Sequence, residues 1–372
     1  MSSSEESKLP NVLVLGGTGF IARHFVRYLR ANKLCGKIRV ADKVLPVMAY
    51  LDDTFKADYE SDQVEFKQSN LTNESHLKRV FADETWDYVV NLAAETKFGL
   101  EEDVYKQYIY KLSTICAKYA AQVGCKRFIE VSTAQVYDTG NKPRKEGAKI
   151  KPFTKLSIQK RLVEEELEKM DNLDYVILRP AMVYGQGDIN GLAPRIIVAA
   201  SYVKSKDKMK LLWSGDMKVN TVHVEDVARA IWHVLINAEK GAIYNLADSG
   251  NTSQKTLNLI FEKIFKIKTG FHGNLISKAA ALKLTAVAKM ANDNHMSPWS
   301  EMCKDYKIGN TPLSPYLDKE LLYNKPLCIN GTAITGLNGF KYLHPALTEE
   351  GVREELDYWI KLGKFPDIFK EE

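Results

Sequence analysis

A glycine-rich turn near the start of the chain has the residue types that a phosphate-binding loop requires. The run Gly16-Gly17-Thr18-Gly19-Phe20-Ile21 follows a short apolar stretch and opens an amphipathic one. Gly16 and Gly19 permit a tight turn in which backbone N–H groups approach a pyrophosphate, and the N-terminus of the following helix adds partial positive charge. Ala22 stands where close packing of this helix on the strand needs a small residue. The loop therefore predicts a dinucleotide site.

An acidic residue at the end of the next apolar run indicates which dinucleotide is bound. A carboxylate at Asp42 can accept hydrogen bonds from a ribose diol and would repel a 2′-phosphate, which favours NAD. Arg39 and Lys43 lie close by in the sequence, so NADP is left open.

The elements that must position these residues alternate between strand and helix patterns. Apolar runs at Asn11–Leu15, Lys37–Ala41 and Tyr88–Ala93 predict strands, whereas Phe20–Leu34 and Asp103–Val123 predict helices. Such alternation predicts an α/β fold with a doubly wound, parallel, Rossmann-type sheet. We expect a polar tail at 1–10, a nucleotide-binding domain at 11–184 and a smaller C-terminal substrate or cap domain at 185–372. Within the last of these, 221–247 returns to the nucleotide-binding domain.

Composition and charge exclude several classes of function. The 372 residues include 52 basic and 47 acidic ones, and this small basic excess is spread out, which argues against nucleic-acid binding. The five cysteines form no CxxC pair and the seven histidines no HExxH, so no metal site is predicted. Unpaired thiols favour a reducing compartment, and we expect a cytoplasmic protein. No apolar run is long enough to span a membrane. Three lysines interrupt Ile276–Ala291, which could lie on a membrane surface, although the pattern favours an ordinary Ala-rich helix.

Motifs that follow the loop in a fixed order resemble those of the extended short-chain dehydrogenases/reductases, the epimerase, dehydratase and hydroxysteroid dehydrogenase group. The resemblance extends over nearly the whole chain, and the matching runs are 16–22, 70–71, 89–94, 132–137, 178–188, 223–230 and 339–359. The resemblance implies an NAD(P)-binding protein with a small-molecule substrate, and a homodimer formed through a bundle that includes the helices at 103–123 and 156–169.

The resemblance also implies which residues surround the cofactor. Asn70 and Leu71 would frame the adenine, although the family usually has Asp where Asn70 stands. Ala93 and Ala94 would line the ribose side. The segment from Pro180 to Val183 would lie against the nicotinamide.

The catalytic set implied by the resemblance is incomplete. The family uses Ser or Thr, Tyr, Lys and usually Asn, with the lysine lowering the tyrosine pKa and holding the nicotinamide ribose. Thr133 occupies the Ser/Thr position and Lys160 the lysine position. Leu156 stands where the YxxxK motif requires Tyr, and no Asn occurs near Ile109. Leucine has no proton to transfer, so the central acid–base group is missing.

Other positions bear on the substrate and on a replacement acid. Val219 stands where nucleotide-sugar enzymes of this group usually have an Arg that holds a diphosphate. Lys218 could supply a point charge there but not a bidentate fork, and Arg195 is another candidate anion contact. Tyr137 and His223 carry groups that could serve as the acid, but the family pattern gives both other roles.

Two hypotheses therefore remain open. The chain is either an NAD(P)-binding protein with impaired or altered catalysis that acts as a cofactor-loaded scaffold or sensor, or an active epimerase, dehydratase or dehydrogenase. The second would use Thr133, Lys160 and a non-standard acid. Two segments at 292–299 and 310–316 read as aromatic-containing loops, in which His295, Trp299 and Tyr316 either line a pocket or hold the loops to the core.

Overall fold

The computed structural model describes residues 9–370. Most of the polar tail expected at 1–10 therefore lies outside the described residues. Cys35, Cys116, Cys125, Cys303 and Cys328 are all free thiols in the structure.

A seven-stranded sheet forms the centre of the fold, and every pair of neighbouring strands in it is parallel. The strands are β1 Val12–Leu15, β2 Ile38–Asp42, β3 Val64–Gln68, β4 Tyr88–Asn91, β5 Arg127–Val131, β6 Tyr175–Pro180 and β10 Ile243–Leu246. Their order is β3-β2-β1-β4-β5-β6-β10, with the direction of winding reversing between β1 and β4. Most of these strands are continuous apolar runs because helices cover both faces. The predicted doubly wound, Rossmann-type fold is thus confirmed.

Two helical layers enclose the sheet, and each builds its own apolar core. On one face, α1 (Phe20–Ala31) packs against α8 (Val224–Asn237), burying Phe25, Val26 and Leu29 of α1 at helical spacing. The other face is covered by α3 (Glu74–Phe81), α5 (Leu112–Gln122) and α6 (Lys155–Leu167). A further short helix, α2 (Asp53–Tyr59), follows β2.

The helix predicted at Asp103–Val123 is continuous but not uniform. It begins as α4 (Glu102–Tyr105), passes through a π-helical segment at Lys106–Lys111, and continues as α5. Ile109, at the position where the family usually has Asn, lies in this π-helical segment and is fully buried in the core.

The C-terminal half contributes two small parallel ladders and five further helices. The ladders pair β7 (Met182–Tyr184) with β9 (Thr221–His223), and β8 (Met209–Leu211) with β11 (Thr269–Phe271). The helices are α7 Ala193–Ser205, α9 Gln254–Phe265, α10 Gly273–Ala281, α11 Leu284–Asp305 and α12 Glu349–Lys361. Among residues 9–370, no helix is both long and apolar enough to cross a membrane.

The expectation of a loop at 292–299 was wrong, because this segment is part of α11. Its Asn, Asp, Ser and Pro residues resemble loop composition, and Pro298 lies inside the helix. The buried residues nevertheless recur at helical spacing, namely Asn292, His295, Trp299 and Met302. Packing of this stripe outweighs the local preference for a loop. Residues 310–316 contain no helix or strand, as expected.

Candidate functional site

One cavity of about 600 Å³ opens at the carboxyl ends of the central strands, beside the point where the winding reverses. Its walls come from the β1–α1 loop, the ends of β2, β4, β5 and β6, the first turn of α6 and the segment 320–327. Ligands of open α/β sheets bind at this position because the loops on either side diverge there.

The β1–α1 loop is packed so tightly that its first two glycines have no room for a side chain. Gly16 has φ +74°, and a Cβ added to it would lie 2.6 Å from the backbone N of Ala93. A Cβ on Gly17 would lie 2.5 Å from Cβ of Val40. Gly19 is the N-cap of α1 and supplies no side-chain cap to the first turn of this helix. The loop thus keeps the N-terminus of α1 open toward the cavity, as anion binding requires.

Asp42 is held at the cavity wall by backbone donors. Thr18 donates its N–H to Oδ2 of Asp42 at 3.1 Å, and Val44 donates to Oδ1 at 3.0 Å. Two carboxylate oxygens offer about four acceptor sites, so capacity remains for ribose hydroxyl groups.

Of the two cations considered for a 2′-phosphate, Arg39 is fully engaged elsewhere. Its guanidinium is 1% exposed, pairs with Glu65 at 2.8 Å, donates to the carbonyls of Val80 and Ala82, and stacks on Trp86. Lys43 is exposed and lies over the ring of Tyr108.

The structure brings most of the predicted cofactor residues to this cavity, but not all of them. Its walls include Thr18, Gly19, Phe20, Ile21, Asp42, Ala94, Lys160, Pro180 and Val183. Gly16, Gly17 and Ala93 shape the loop from behind, whereas Asn70 and Leu71 do not line the cavity. Asn70 is exposed and accepts hydrogen bonds from the backbone and hydroxyl of Thr72, and Leu71 is buried in the core.

Thr133 and Leu156 face the cavity from neighbouring elements. Thr133 is the N-cap of a short 3₁₀ turn, and its Oγ1 accepts the N–H of Gln135 at 3.2 Å. Because that contact uses an acceptor site, the hydroxyl proton of Thr133 is free to donate into the cavity. Leu156 lies in the first turn of α6, which a reciprocal pair of hydrogen bonds between Thr154 and Ser157 caps.

Lys160 also lies at the wall, but its ammonium group is engaged by the protein. Nζ of Lys160 donates to Oε1 of Glu130 at 2.9 Å and to the carbonyl of Val131 at 2.6 Å. Glu130 is fully buried in β5 and also accepts hydrogen bonds from Asn91 and Ser113. An ammonium has three N–H donors, so one remains for a ligand.

A carboxyl group that the sequence did not point to lies beside Leu156. Glu320, in the turn Lys319–Leu322, accepts the backbone N–H of Lys155 on Oε1 at 3.0 Å. Its Oε2 has no hydrogen-bond partner among the described residues, and burial raises the pKa of Glu320. Glu320 lines the cavity together with Tyr323 and Lys325. No sequence pattern could have found this segment, because it follows no motif and approaches α6 only in the folded chain.

Besides Arg23, the cavity wall includes a second guanidinium, that of Arg195. It makes no hydrogen bond or ion pair with the described residues, and burial lowers its pKa to about 10. Val219 lines the cavity nearby as an apolar residue, while Lys218 bonds to the carbonyl of Asn251 outside it. Asp188 faces Arg195, but its oxygens accept four backbone N–H groups at the start of α7, and burial raises its pKa to about 6.

The alternative acids named from the sequence do not line this cavity. Tyr137 is buried, where it donates to Asn245 and accepts from Arg179. His223 stacks on His344 with ring centroids 3.7 Å apart, and burial lowers its pKa to about 3. His295, Trp299 and Tyr316 also lie outside its walls; the first two are buried on α11.

Comparison with known proteins gives the family and the fold. A model of the "NAD dependent epimerase/dehydratase family" matches residues 12–247, which is more than half of the chain. The dTDP-D-glucose 4,6-dehydratase of Dictyostelium discoideum is 25% identical over 275 residues, covering 66% of this chain and 60% of that protein. The human dTDP-D-glucose 4,6-dehydratase is 27% identical over 267 residues, covering 69% of this chain and 74% of that protein.

Two solved structures resemble the whole described fold. The dTDP-glucose 4,6-dehydratase DesIV of Streptomyces venezuelae, solved with NAD and TYD bound, has a TM-score of 0.69 and 18% identity over 94% of this chain and 97% of that one. The UDP-glucuronic acid 4-epimerase of Bacillus cereus, solved with UDP-glucuronic acid and NAD, has a TM-score of 0.68 and 16% identity over 95% of this chain and 99% of that one. At these identities the likeness concerns the fold.

Proposed function

Because this chain belongs to the NAD-dependent epimerase/dehydratase family, within the extended short-chain dehydrogenases/reductases, we propose that it binds NAD but has lost the usual tyrosine–lysine proton transfer. The observation that carries this proposal is the pairing of Lys160 with Glu130 beside Leu156. The protein would then act as a cofactor-loaded scaffold or sensor whose cavity still recognises a small molecule.

The shape and charge of the cavity support binding of the dinucleotide. Ala93 packs against Gly16 and Val40 packs against Gly17 on the side of the loop away from the cavity. A ligand can therefore approach the loop from the cavity side, at the N-terminus of α1. Asp42 would hold the adenosine ribose, and Arg39, which is engaged with Glu65, is not available to a 2′-phosphate. We therefore favour NAD over NADP. Bound NAD supplies a hydride acceptor, or a donor when reduced.

The electrostatics at Lys160 support the loss of the usual chemistry. A lysine lowers the pKa of a neighbouring tyrosine by its positive charge. Here the Glu130 carboxylate lies 2.9 Å from that charge in a buried site, so the two charges largely cancel at any nearby hydroxyl. Leu156 replaces the tyrosine of the acid–base pair, and Glu130 neutralises the positive charge of Lys160. The pair therefore cannot transfer a proton in the usual way.

The charged residues of the cavity wall indicate which charge a ligand beside the cofactor would carry. The relatives named above act on nucleotide sugars, which are anionic at the diphosphate. In this chain, Arg195 offers a cavity-lining guanidinium without a protein partner among the described residues, while Val219 offers no charge. We propose a small polar ligand with an anionic group held at Arg195.

Calorimetric titration of the purified protein with NAD, NADH, NADP and NADPH tests the cofactor. We expect binding of NAD and NADH, with weaker binding of the phosphorylated forms. Asp42→Asn should weaken NAD binding, and Asp53→Asn, a change of the same type on an exposed helix turn, should not. Absence of binding by all four dinucleotides would overturn the proposal.

The second candidate, an active enzyme with an unusual acid, is favoured by Glu320. This carboxyl has an unpartnered oxygen among the described residues and a pKa that burial raises, and it lies next to Leu156; a general acid needs a free oxygen and a raised pKa. A screen of nucleotide sugars that follows conversion of the sugar by chromatography, with Glu320→Gln as the comparison, separates the two functions, because an epimerase or dehydratase returns its cofactor to NAD. Lys319→Gln, a change at the exposed neighbouring residue, is the matched control. Turnover that disappears in Glu320→Gln and persists in Lys319→Gln would favour the enzyme; a flat screen with intact NAD binding would favour the scaffold.

The homodimer implied by the family resemblance stays a proposal. Two apolar side chains on α6, Ile158 and Leu162, are 43% and 38% exposed and lie one helical turn apart. Light scattering after size-exclusion chromatography should give a dimer for the parent. Ile158→Glu with Leu162→Glu should give a monomer, and a parent that is monomeric at all concentrations would contradict the proposal.

A further inference from the structure

The helices at 273–291 present an apolar surface that the fold leaves uncovered. We call it the α10–α11 surface and define it by Leu275, Ile276, Leu282 and Met290. These side chains are 85%, 58%, 87% and 62% exposed. Single exposed apolar residues are ordinary, but four on one short pair of helices form a patch of the kind that marks an interaction site.

The attachment of α10 to the rest of the protein shows why this surface stays open. Within α10, Ser277 alone is buried, and its hydroxyl oxygen accepts the N–H of Trp213 at 2.7 Å. The same hydroxyl donates to the carbonyl of Gly273. In α11, Leu284 and Ala288 turn inward. Residues 273–291 are therefore held by polar contacts to Trp213, from Ser277 and from the N–H of Gly273, and by a narrow inner stripe, while their large apolar side chains stay exposed.

The charge around the patch is mostly basic, and Asp293 is the nearest acidic residue in the sequence. Between Glu262 and Asp293 the sequence contains six lysines and no acidic residue. Lys278, Lys283 and Lys289 alternate with the exposed apolar residues, are themselves exposed, and form no ion pair with the described residues. Ordinary surface helices mix both signs, so a mostly basic and apolar pattern indicates a partner that is both anionic and apolar.

We propose that the α10–α11 surface docks on the surface of a bilayer containing anionic phospholipids. Leu275, Ile276, Leu282 and Met290 would enter the boundary between headgroups and acyl chains, while the lysines would contact the lipid phosphates. Amphipathic helices with lysines beside the apolar face bind membranes in this way, without spanning them.

A second copy of this chain is a poorer occupant of the same surface. Two such patches placed face to face would bring Lys278, Lys283 and Lys289 of both copies together, and Asp293 is the one acidic residue within a helical turn of them in the sequence. Like charges at close range oppose association. Anionic lipid has the complementary charge and an apolar layer as well.

Co-sedimentation of the 372-residue protein with vesicles tests the proposal. Vesicles of phosphatidylcholine mixed with phosphatidylserine should bind the protein, and added salt should weaken the binding because it screens the lysines. Vesicles of phosphatidylcholine alone should bind at least tenfold less. Failure to bind the mixed vesicles, or equal binding to both kinds, would overturn the proposal.

Two sets of variants identify the surface responsible. Leu275→Ser with Leu282→Ser, and separately Lys278→Gln with Lys283→Gln, should each reduce binding to mixed vesicles at least tenfold. Ile236→Ser and Lys118→Gln, which change exposed residues on other helices, should leave it unchanged. All of these changes are at exposed positions, and equal thermal melting curves check that folding is retained.

Two results would reverse the interpretation. Binding that persists in both sets of variants would place the lipid contact elsewhere on the chain and overturn the proposal. A concentration-dependent dimer of the parent that Leu275→Ser with Leu282→Ser abolishes, without any vesicle binding, would assign the surface to a second copy.

Discussion

Nζ of Lys160 lies 2.9 Å from Oε1 of Glu130, with side-chain exposures of 6% and 0%. The pair joins α6 to β5 directly below the cavity. Asn91 and Ser113 donate further hydrogen bonds to the same carboxylate, so it is part of a buried polar network rather than an isolated contact. In this position Lys160 stabilises the fold through Glu130 and can also contact a ligand. The first role predicts a loss of stability on substitution, and the second predicts an effect on groups in the cavity.

Removing one member of the pair should destabilise the fold strongly. A buried charge left without its partner typically costs about 3–5 kcal/mol of the free energy of unfolding. We therefore expect Glu130→Leu and Lys160→Met each to lose several kcal/mol in urea unfolding, while Glu130→Leu with Lys160→Met loses less than the sum of the two. Additive effects of the single changes would show that the ion pair does not couple these residues.

Restoring the missing tyrosine alone should not restore its reactivity. In Leu156→Tyr, the new phenol would face Lys160 while Glu130 still opposes the lysine charge, so its pKa should stay near or above the ordinary value of ~10. In Leu156→Tyr with Glu130→Gln, the lysine is no longer neutralised and the phenol pKa should fall.

The phenol can be followed by NMR of protein labelled at the tyrosine ζ-carbon, with the parent spectrum identifying the added signal. Glu165→Gln with Leu156→Tyr is the control, since Glu165 is more exposed and pairs with Arg161 rather than Lys160. A low phenol pKa in Leu156→Tyr alone would refute the idea that Glu130 cancels the lysine.

The sheet and the glycine loop could be predicted because their signals are local. Buried parallel strands such as Val12–Leu15 are continuous apolar runs, and the glycines that follow have no room for a side chain. The part of α11 at 292–299 was not predicted as a helix, because Asn292 and Pro298 are residues typical of loops. Tertiary packing of its buried side chains decides the structure instead.

The chemistry of the site was less predictable, because it depends on pairs of residues distant in sequence. Nothing in β5 shows that the Glu130 carboxylate meets Lys160, or that Arg39 is held by Glu65 and so unavailable to a phosphate. Glu320 belongs to a turn without a motif and reaches α6 only after folding. Sequence motifs located the cavity, whereas its electrostatics required the three-dimensional structure.

The close packing behind the loop predicts a strong effect of one added methyl group. In Gly17→Ala the new Cβ would lie 2.5 Å from Cβ of Val40 and 3.0 Å from its Cα, in a fully buried strand. Overpacking of this kind typically costs about 1–3 kcal/mol and displaces the loop. We expect at least tenfold weaker NAD binding by calorimetry, together with a lower melting temperature.

Gly147→Ala is the matched control for the loop, since nothing lies within 4 Å of the added Cβ. It should bind NAD as the parent does. Equal binding by Gly17→Ala would show that the loop can shift without disturbing the cofactor site.

Burial of His24 predicts a specific dependence of stability on pH. His24 packs against Phe20 and Phe55, its Nε2 is 2.8 Å from the carbonyl oxygen of Gln186, and burial, assisted by Arg23 and Arg27, lowers its pKa from 6.5 to about 3. Below pH 6.5 the unfolded chain therefore binds a proton that the folded protein does not. The stability that this neutral histidine contributes is complete above pH 6.5 and is lost progressively as the pH falls toward 3.

The buried carboxyl groups act in the opposite direction over part of this range. Burial raises the pKa of Asp188 and of Asp248 to about 6, so their protonation favours the folded state as the pH falls. The pH dependence of the free energy of unfolding therefore contains both effects, and only a comparison of variants isolates the contribution of His24.

His24→Gln keeps a donor for the Gln186 carbonyl but cannot take up the proton. Between pH 6 and 4, its free energy of unfolding in urea should fall less steeply than that of the parent, by about 1.4 kcal/mol per pH unit for one proton. His272→Gln, a change at an exposed histidine, should leave the slope unaltered. Parallel slopes for His24→Gln and the parent would mean that His24 takes up its proton in the folded protein near its ordinary pKa.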